Sequence, residues 1–190
     1  MTTIPATEPD NPLILGQTVH TGIEKSLEEA IREYCFSFPI ITDEHINEII
    51  KFETVIPLAR AAIPPGGKFE VEIKDDDFHG FIDYLVPMGY MSKEALHNPY
   101  GEDVDVFDLY DFKYSNNVSG YKQSGQLHEY KYFFERNNPG KRIRNMYFVF
   151  IPKVTIRQKK TETLLEFRER LKEALSGVEV KIVQIGFNPE

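Results

Sequence analysis

Apolar residues recur at three- and four-residue spacing in several stretches of the chain. The first stretch runs from Thr18 to about Phe36, and its spacing is typical of one amphipathic helix. The second follows Thr42 and Asp43, residue types that often precede a helix, and continues to about Ile63. Similar stripes predict helices around residues 127–134 and over 161–175.

Between the helical stretches the period of the apolar residues changes to two. Phe69, Val71 and Ile73 alternate with charged residues, which indicates a half-buried strand. A second strand over 78–86 is expected to pair back on it, and a third over about 104–114 follows a loop rich in Gly, Pro and Asn. The runs 146–151 and 178–185 complete the predicted strands. The pattern predicts an α/β fold with a central mixed β-sheet flanked by helices.

Length and composition favour one globular domain over residues 1–190, with 1–13 as a flexible N-terminal segment. Hydrophobic residues make up 41% of the chain and charged residues 27%, which is ordinary for soluble domains. No run approaches the roughly 18 apolar residues of a membrane span, so we expect no membrane association and a cytoplasmic location. The single cysteine, Cys35, is predicted to be a buried free thiol, since one cysteine cannot form an internal disulfide or a multi-cysteine metal site.

The formal charge of -8 argues against nucleic-acid binding, which normally uses clustered Lys and Arg. The distribution of charge argues differently, because the stretch from Pro139 to Lys172 has ten basic and three acidic residues. An ordinary solubilising surface explains any single one of them equally well. The predicted DNA contacts are Lys141, Arg142, Arg144, Arg157, Lys159 and Lys160. Three tyrosines, Tyr110, Tyr114 and Tyr121, could stack on bases, although core packing is the better explanation for most of them.

Asp111 and Lys113 combine a carboxylate and an ammonium group on one predicted strand. They are two residues apart, so their side chains leave the same face, about 7 Å apart along the strand. A carboxylate that holds a divalent cation, beside an ammonium that orients water and offsets negative charge, suits phosphodiester hydrolysis. The tripeptide alone is a weak pattern, because Asp-x-Lys occurs by chance in many chains.

Asp83 is a second carboxylate in an unusual setting. It interrupts the apolar run from Gly80 to Val86, where burial of an unpaired charge would cost several kcal/mol. Either Asp83 faces solvent or pairs with a lysine, or it faces Asp111 across the sheet and both bind Mg²⁺.

Four sequence elements in order resemble the RecB-like branch of the PD-(D/E)XK nuclease superfamily. They are the Gly16-Gln17-Thr18-Val19-His20 run, the Gly-Phe-Ile-Asp run at 80–83, the Asp-Phe-Lys-Tyr run at 111–114, and the Gln126-Leu127-His128-Glu129-Tyr130 run. The conjunction of the four, each on the expected type of element, is far more specific than any one of them.

The resemblance implies a restriction-endonuclease-like fold and a set of site residues. Asp83 and Asp111 would be metal-binding carboxylates, His20 a further metal ligand, and the Phe112 backbone carbonyl an additional one. Lys113 would be the catalytic lysine, and Gln126 and Tyr130 would support the site or touch DNA. The cofactor would be Mg²⁺ or Mn²⁺. The residues before the helix with His20 contain no cysteine, so no iron–sulfur cluster is expected.

The expected activity is metal-dependent hydrolysis of DNA, with exonuclease action in bacterial or phage recombination as the first hypothesis. The implied partners are DNA, a recombination or single-strand annealing protein, and further copies of the chain. A site-specific or structure-specific endonuclease of the same superfamily is one alternative. A non-catalytic nucleic-acid-binding module that keeps the fold is the other.

Overall fold

The computed structural model describes residues 8–92 and 103–186. Residues 1–7 of the predicted N-terminal segment and part of the predicted loop between the second and third strands lie outside these ranges. The elements, in chain order, are α1 (Pro12–Glu24), α2 (Leu27–Phe36), α3 (Asp43–Ala62), β1 (Lys68–Lys74), β2 (His79–Met91), β3 (Val104–Tyr114), α4 (Val118–Lys122), α5 (Gln126–Asn137), β4 (Lys141–Ile151), α6 (Leu164–Ser176) and β5 (Lys181–Ile185).

The chain divides into two compact units, which comprise residues 1–62, 114–116 and 151–180, and residues 63–113, 117–150 and 181–190. None of the helices within the described residues is both long and apolar enough to cross a membrane.

The first unit is helical, and its helices α1, α2 and α3 pack on one another. The prediction of one helix over 18–36 is wrong, because the chain breaks between Glu24 and Leu27. The Ser26 hydroxyl accepts a hydrogen bond from the Glu29 N–H and so caps the start of α2. Arg60 of α3 donates to the carbonyl oxygens of Gly22, Ile23 and Lys25. These bonds satisfy backbone carbonyl groups at the end of α1 that have no hydrogen-bond donor within the helix. Cys35 is a free thiol as predicted, but it is half-buried rather than buried.

The second unit is built on a five-stranded mixed sheet in the order β1-β2-β3-β4-β5. The pairs β1–β2, β2–β3 and β4–β5 are antiparallel. The remaining neighbours run parallel, because Asp105 N–H donates to the Gly140 oxygen and Ser115 N–H donates to the Ile151 oxygen, ten and eleven residues further along. The chain therefore forms an antiparallel meander and then crosses over through α4 and α5.

Helix α5 covers the sheet of the second unit. Leu127 and Phe134, seven residues apart on one face, join Leu85, Leu109 and Phe148 in a buried cluster. This packing holds α5 against the strands that contain the candidate motifs.

Candidate functional site

The antiparallel ladder between β2 and β3 ends next to Asp83. Tyr84 pairs with Tyr110, and continuing the register by one residue on each strand places Asp83 opposite Asp111. The Phe112 N–H donates to the Asp83 Oδ2 over 2.7 Å. A side-chain carboxylate thus accepts a hydrogen bond at the point where the strand ladder stops, and this fixes the position of the carboxylate.

Asp111 and Lys113 share one face of β3, as their spacing predicted. The Lys113 Nζ lies 2.6 Å from the Asp111 Oδ2. Asp111 is 1% exposed, so this ion pair is largely withdrawn from water. The Lys113 Nζ also lies 5.3 Å from the ring centroid of Tyr121 and 5.8 Å from that of Phe148. The ammonium therefore contacts a carboxylate and two aromatic rings.

Burial raises the pKa of Asp83 to about 7. The Phe112 N–H and the Lys113 ammonium act in the opposite direction, and the Glu70 carboxylate raises the pKa further. A carboxylate with a pKa near neutrality in a polar cluster is typical of functional sites. Its negative charge calls for a compensating cation, either a proton or a metal ion.

Glu70 of β1 is a residue that the sequence did not reveal. Its neighbours pair regularly with β2, Phe69 with Tyr84 and Val71 with Ile82, but Glu70 has a φ of 48°. A left-handed conformation is uncommon for a non-glycine residue and stores backbone strain. One of its carboxylate oxygens lies within 4.8 Å of one of Asp83. Strand alternation had only marked Glu70 as a solvent-facing residue, and no sequence pattern announces a positive φ at a glutamate.

Gln126 and Tyr130 lie on one face of α5, as predicted, and the Gln126 Nε2 donates to the Tyr130 hydroxyl over 3.1 Å. Burial raises the pKa of Tyr130, and the nearby Asp111 and Asp83 carboxylates raise it as well, while Gln126 and Lys113 lower it. Gly80 allows the Tyr130 ring to pack closely on β2, because a Cβ at this position would lie 3.2 Å from the Tyr130 ring and closer still to Phe78. The glycine of the Gly-Phe-Ile-Asp run therefore has a packing function next to the site.

Five predicted residues thus gather in the second unit: Asp83, Asp111, Lys113, Gln126 and Tyr130. The Phe112 N–H donates to Asp83 in this cluster. Metal binding by the Phe112 carbonyl oxygen stays a prediction. His20 belongs to the first unit, where it lies half-buried on α1 beside the buried Val19. Its role as a metal ligand also stays a prediction.

The predicted DNA contacts have differing surroundings. The Arg144 Nε and Nη2 donate to the two carboxylate oxygens of the buried Asp108, which gives this arginine a structural role. Lys141 and Arg142 are half-buried at the start of β4. Exposed side chains lie on the irregular segment after β4, namely Arg157, Lys159 and Lys160. Contact with DNA stays a prediction for all six.

The donor set of the cluster fits a hard divalent cation. Asp83, Asp111 and Glu70 offer carboxylate oxygens, which Mg²⁺, Mn²⁺ and Ca²⁺ prefer, and the cluster contains no thiolate.

No family model, no curated protein sequence and no solved structure gave a significant match to this chain. The interpretation of the site therefore depends on its geometry and on the order of its motifs.

Proposed function

We propose that this chain is a Mg²⁺- or Mn²⁺-dependent deoxyribonuclease of the PD-(D/E)XK superfamily. The decisive observation is the cluster of Asp83, Asp111 and Lys113 at the point where the ladder between β2 and β3 ends. Two carboxylates and one ammonium in this arrangement match the needs of phosphodiester hydrolysis.

The architecture supports the same proposal. A mixed sheet flanked by helices is compatible with the restriction-endonuclease-like fold that the motifs imply. The motifs imply two carboxylates on successive strands and a supporting Gln and Tyr on a following helix. Asp83 on β2, Asp111 on β3, and Gln126 and Tyr130 on α5 are consistent with that order.

Each residue has a separate task in the proposed reaction. Asp83 and Asp111 would hold the divalent cation, and Glu70 would add a carboxylate next to Asp83. When bound, such a cation supplies Lewis acidity toward the scissile phosphate and makes a bound water more acidic. The Lys113 ammonium orients the attacking water and offsets negative charge that develops on the phosphate. Gln126 holds the Tyr130 hydroxyl through a hydrogen bond, and this hydroxyl lies near enough to Asp111 and Asp83 for their charges to act on it.

The mode of action follows from the resemblance alone. We propose an exonuclease of bacterial or phage recombination, located in the cytoplasm and acting with a recombination or single-strand annealing protein or as a homo-oligomer. A site-specific or structure-specific endonuclease is the alternative within the superfamily.

The test is incubation of the protein with linear and with closed circular duplex DNA, plus Mg²⁺ or Mn²⁺. Asp111→Asn and Lys113→Met should each lower the rate by about 100-fold or more, because each removes charge needed in the transition state. Asp105→Asn and Lys122→Met are matched controls, since both side chains are exposed. Asp105 lies on the same strand as Asp111, six residues earlier, and Lys122 lies on α4, the helix that follows β3.

Degradation of linear DNA alone would support the exonuclease mode, and cutting of the circle would favour the endonuclease. Absence of hydrolysis of either substrate, or unchanged rates in Asp111→Asn and Lys113→Met, would refute the nuclease proposal. Calorimetric titration with Mn²⁺ identifies the non-catalytic alternative, because a module without a working site should show no binding that depends on Asp83 and Asp111.

A further inference from the structure

The aromatic surroundings of Lys113 are not explained by the proposed roles of the carboxylates. The Lys113 side chain is 16% exposed, and its ammonium lies within 6 Å of the centroids of two rings, Tyr121 and Phe148. An ammonium near the face of an aromatic ring is attracted by the ring's quadrupole, and the attraction grows when water is excluded.

The Tyr121 ring is itself held in place. It is half-buried, and its centroid lies 6.0 Å from that of Phe148 and 6.0 Å from that of Phe150, both on β4. The Tyr121 carbonyl oxygen accepts hydrogen bonds from the backbone and side chain of Ser124, just before α5. A ring fixed in this way cannot move freely to follow the lysine.

We propose that Tyr121 is a positioning residue that holds the Lys113 ammonium beside Asp111. A lysine has a flexible four-carbon side chain, and the single ion pair to Asp111 leaves its orientation open. The ring of Tyr121 supplies a second attractive surface, so the ammonium is confined between a carboxylate oxygen and an aromatic face. The inference rests on the proposed nuclease function for its catalytic consequence, but the contact itself does not.

The same geometry argues against Tyr121 as a base-stacking residue. A ring that packs beside Phe148 and Phe150 and lies near the Lys113 ammonium has little free face for a nucleobase. The hydroxyl group has no part in the proposed contact, so the inference predicts that phenylalanine can replace this tyrosine.

The catalytic test compares three variants under single-turnover and steady-state conditions with duplex DNA and Mg²⁺. Tyr121→Leu should lower kcat by about tenfold with KM nearly unchanged, because the ammonium loses its aromatic contact but the substrate surface does not change. Tyr121→Phe should restore the wild-type rate. Phe107→Leu is the control: it removes a half-buried ring that packs on Phe134, elsewhere in the apolar cluster of the second unit. In a double-mutant comparison, Tyr121→Leu should have no further effect once Lys113 is replaced by Met.

A second measurement does not need activity. Protons next to an aromatic face are shifted upfield, so the ε-methylene signals of Lys113 should lie upfield of those of exposed lysines in spectra of ¹³C-lysine-labelled protein. The shift should persist in Tyr121→Phe and decrease in Tyr121→Leu, where Phe148 remains near the ammonium. The missing signal in Lys113→Met assigns it.

The outcomes separate the two proposals. If the wild-type protein does not hydrolyse DNA, the nuclease proposal fails and the Lys113 shift alone decides whether Tyr121 holds the ammonium. If the protein is active, equal kcat values for Tyr121→Leu and Phe107→Leu overturn the inference, as does an additive loss in the double variant. An unchanged Lys113 signal in Tyr121→Leu overturns it in either case.

Discussion

Glu70 shows how one residue can weaken the fold and serve a site at once. Its φ of 48° is costly for a side chain with a Cβ, and strain of this kind is about 1 kcal/mol or more. Its carboxylate lies near that of Asp83, where two negative charges repel unless a cation lies between them. Both effects destabilise the metal-free protein.

Replacement of Glu70 by Gly should therefore stabilise the fold while weakening the site. Glycine adopts a positive φ without strain, so we expect the free energy of unfolding to rise by about 1 kcal/mol in urea titrations without divalent ions. Mn²⁺ affinity, measured by calorimetry, should fall. Glu70→Gln is the matched control, because it removes the charge and keeps the strained backbone; it should lose Mn²⁺ affinity and gain less stability than Glu70→Gly. A less stable glycine variant, or wild-type Mn²⁺ affinity in both, would contradict this account.

At the scale of elements, the start of α3 depends on a neutral histidine. His45 is 1% exposed, and its Nδ1 accepts a hydrogen bond from the Thr42 N–H over 3.1 Å. A ring nitrogen can accept only when it is unprotonated. Burial lowers the pKa of His45, against the opposing influence of Glu44 and Glu48.

This arrangement predicts a loss of stability in mild acid. The folded-state pKa lies below the unfolded value of about 6.5, so the unfolded chain binds the proton first as the pH falls through 6.5. The stabilising contribution is complete above that pH and declines below it. His45→Asn retains an acceptor but does not titrate, so the difference in unfolding free energy between wild type and variant should shrink from pH 7.5 to pH 5. A difference that is constant with pH would show that His45 does not titrate in this way.

The pattern of apolar residues predicted most of the elements. The helix over 43–63, the helical stripe around Leu127 and the strand around Val71 are confirmed, because each has a clear period and a clear boundary. The continuous stripe over 18–36 concealed a break, since apolar spacing continues across Lys25. Ser26 with Glu29 three residues later was the available sign of a new helix, because this pair is typical of a helix start.

The sequence predicted those site residues whose side-chain direction follows from strand spacing. It did not predict the residue whose backbone conformation is irregular. Asp111 and Lys113 needed only strand alternation, and Asp83 stood out as a charge in an apolar run. Glu70 stayed hidden because strand alternation marks it only as one of several charged residues, and its place beside Asp83 depends on the pairing of β1 with β2, which the sequence does not give to the residue. The contact between Tyr121 and Lys113 joins a short helix to a strand, and no local periodicity encodes such a pairing.

At the scale of the whole molecule, the net charge is negative, but one exposed segment is positively charged. The chain has a formal charge of -8, yet Arg157, Lys159 and Lys160 are exposed within four residues of one another. Affinity for DNA depends on the Lys and Arg side chains that neutralise phosphates. The slope of log K against log salt is proportional to the number of phosphates neutralised.

Replacing Arg157, Lys159 and Lys160 together with alanine should weaken DNA binding and lower the slope of log K against log salt by up to about 2 or 3. The control replaces Lys122, Lys172 and Lys181, which are also exposed, and so changes the net charge by the same three units. Binding is measured by fluorescence anisotropy with Ca²⁺ in place of Mg²⁺ at several salt concentrations. Equal slopes for the two triple variants would show that only overall charge matters.

The hydrogen bond from the Phe112 N–H to Asp83 also makes this backbone amide a built-in spectroscopic probe. The resonance of an amide proton that donates to a carboxylate responds to the charge of that carboxylate. Because the pKa of Asp83 is about 7, this carboxylate gains or loses its proton near neutrality. The Phe112 amide signal should therefore follow the charge of Asp83 as the pH is changed, and a further change on addition of Mg²⁺ would report the proposed metal binding directly.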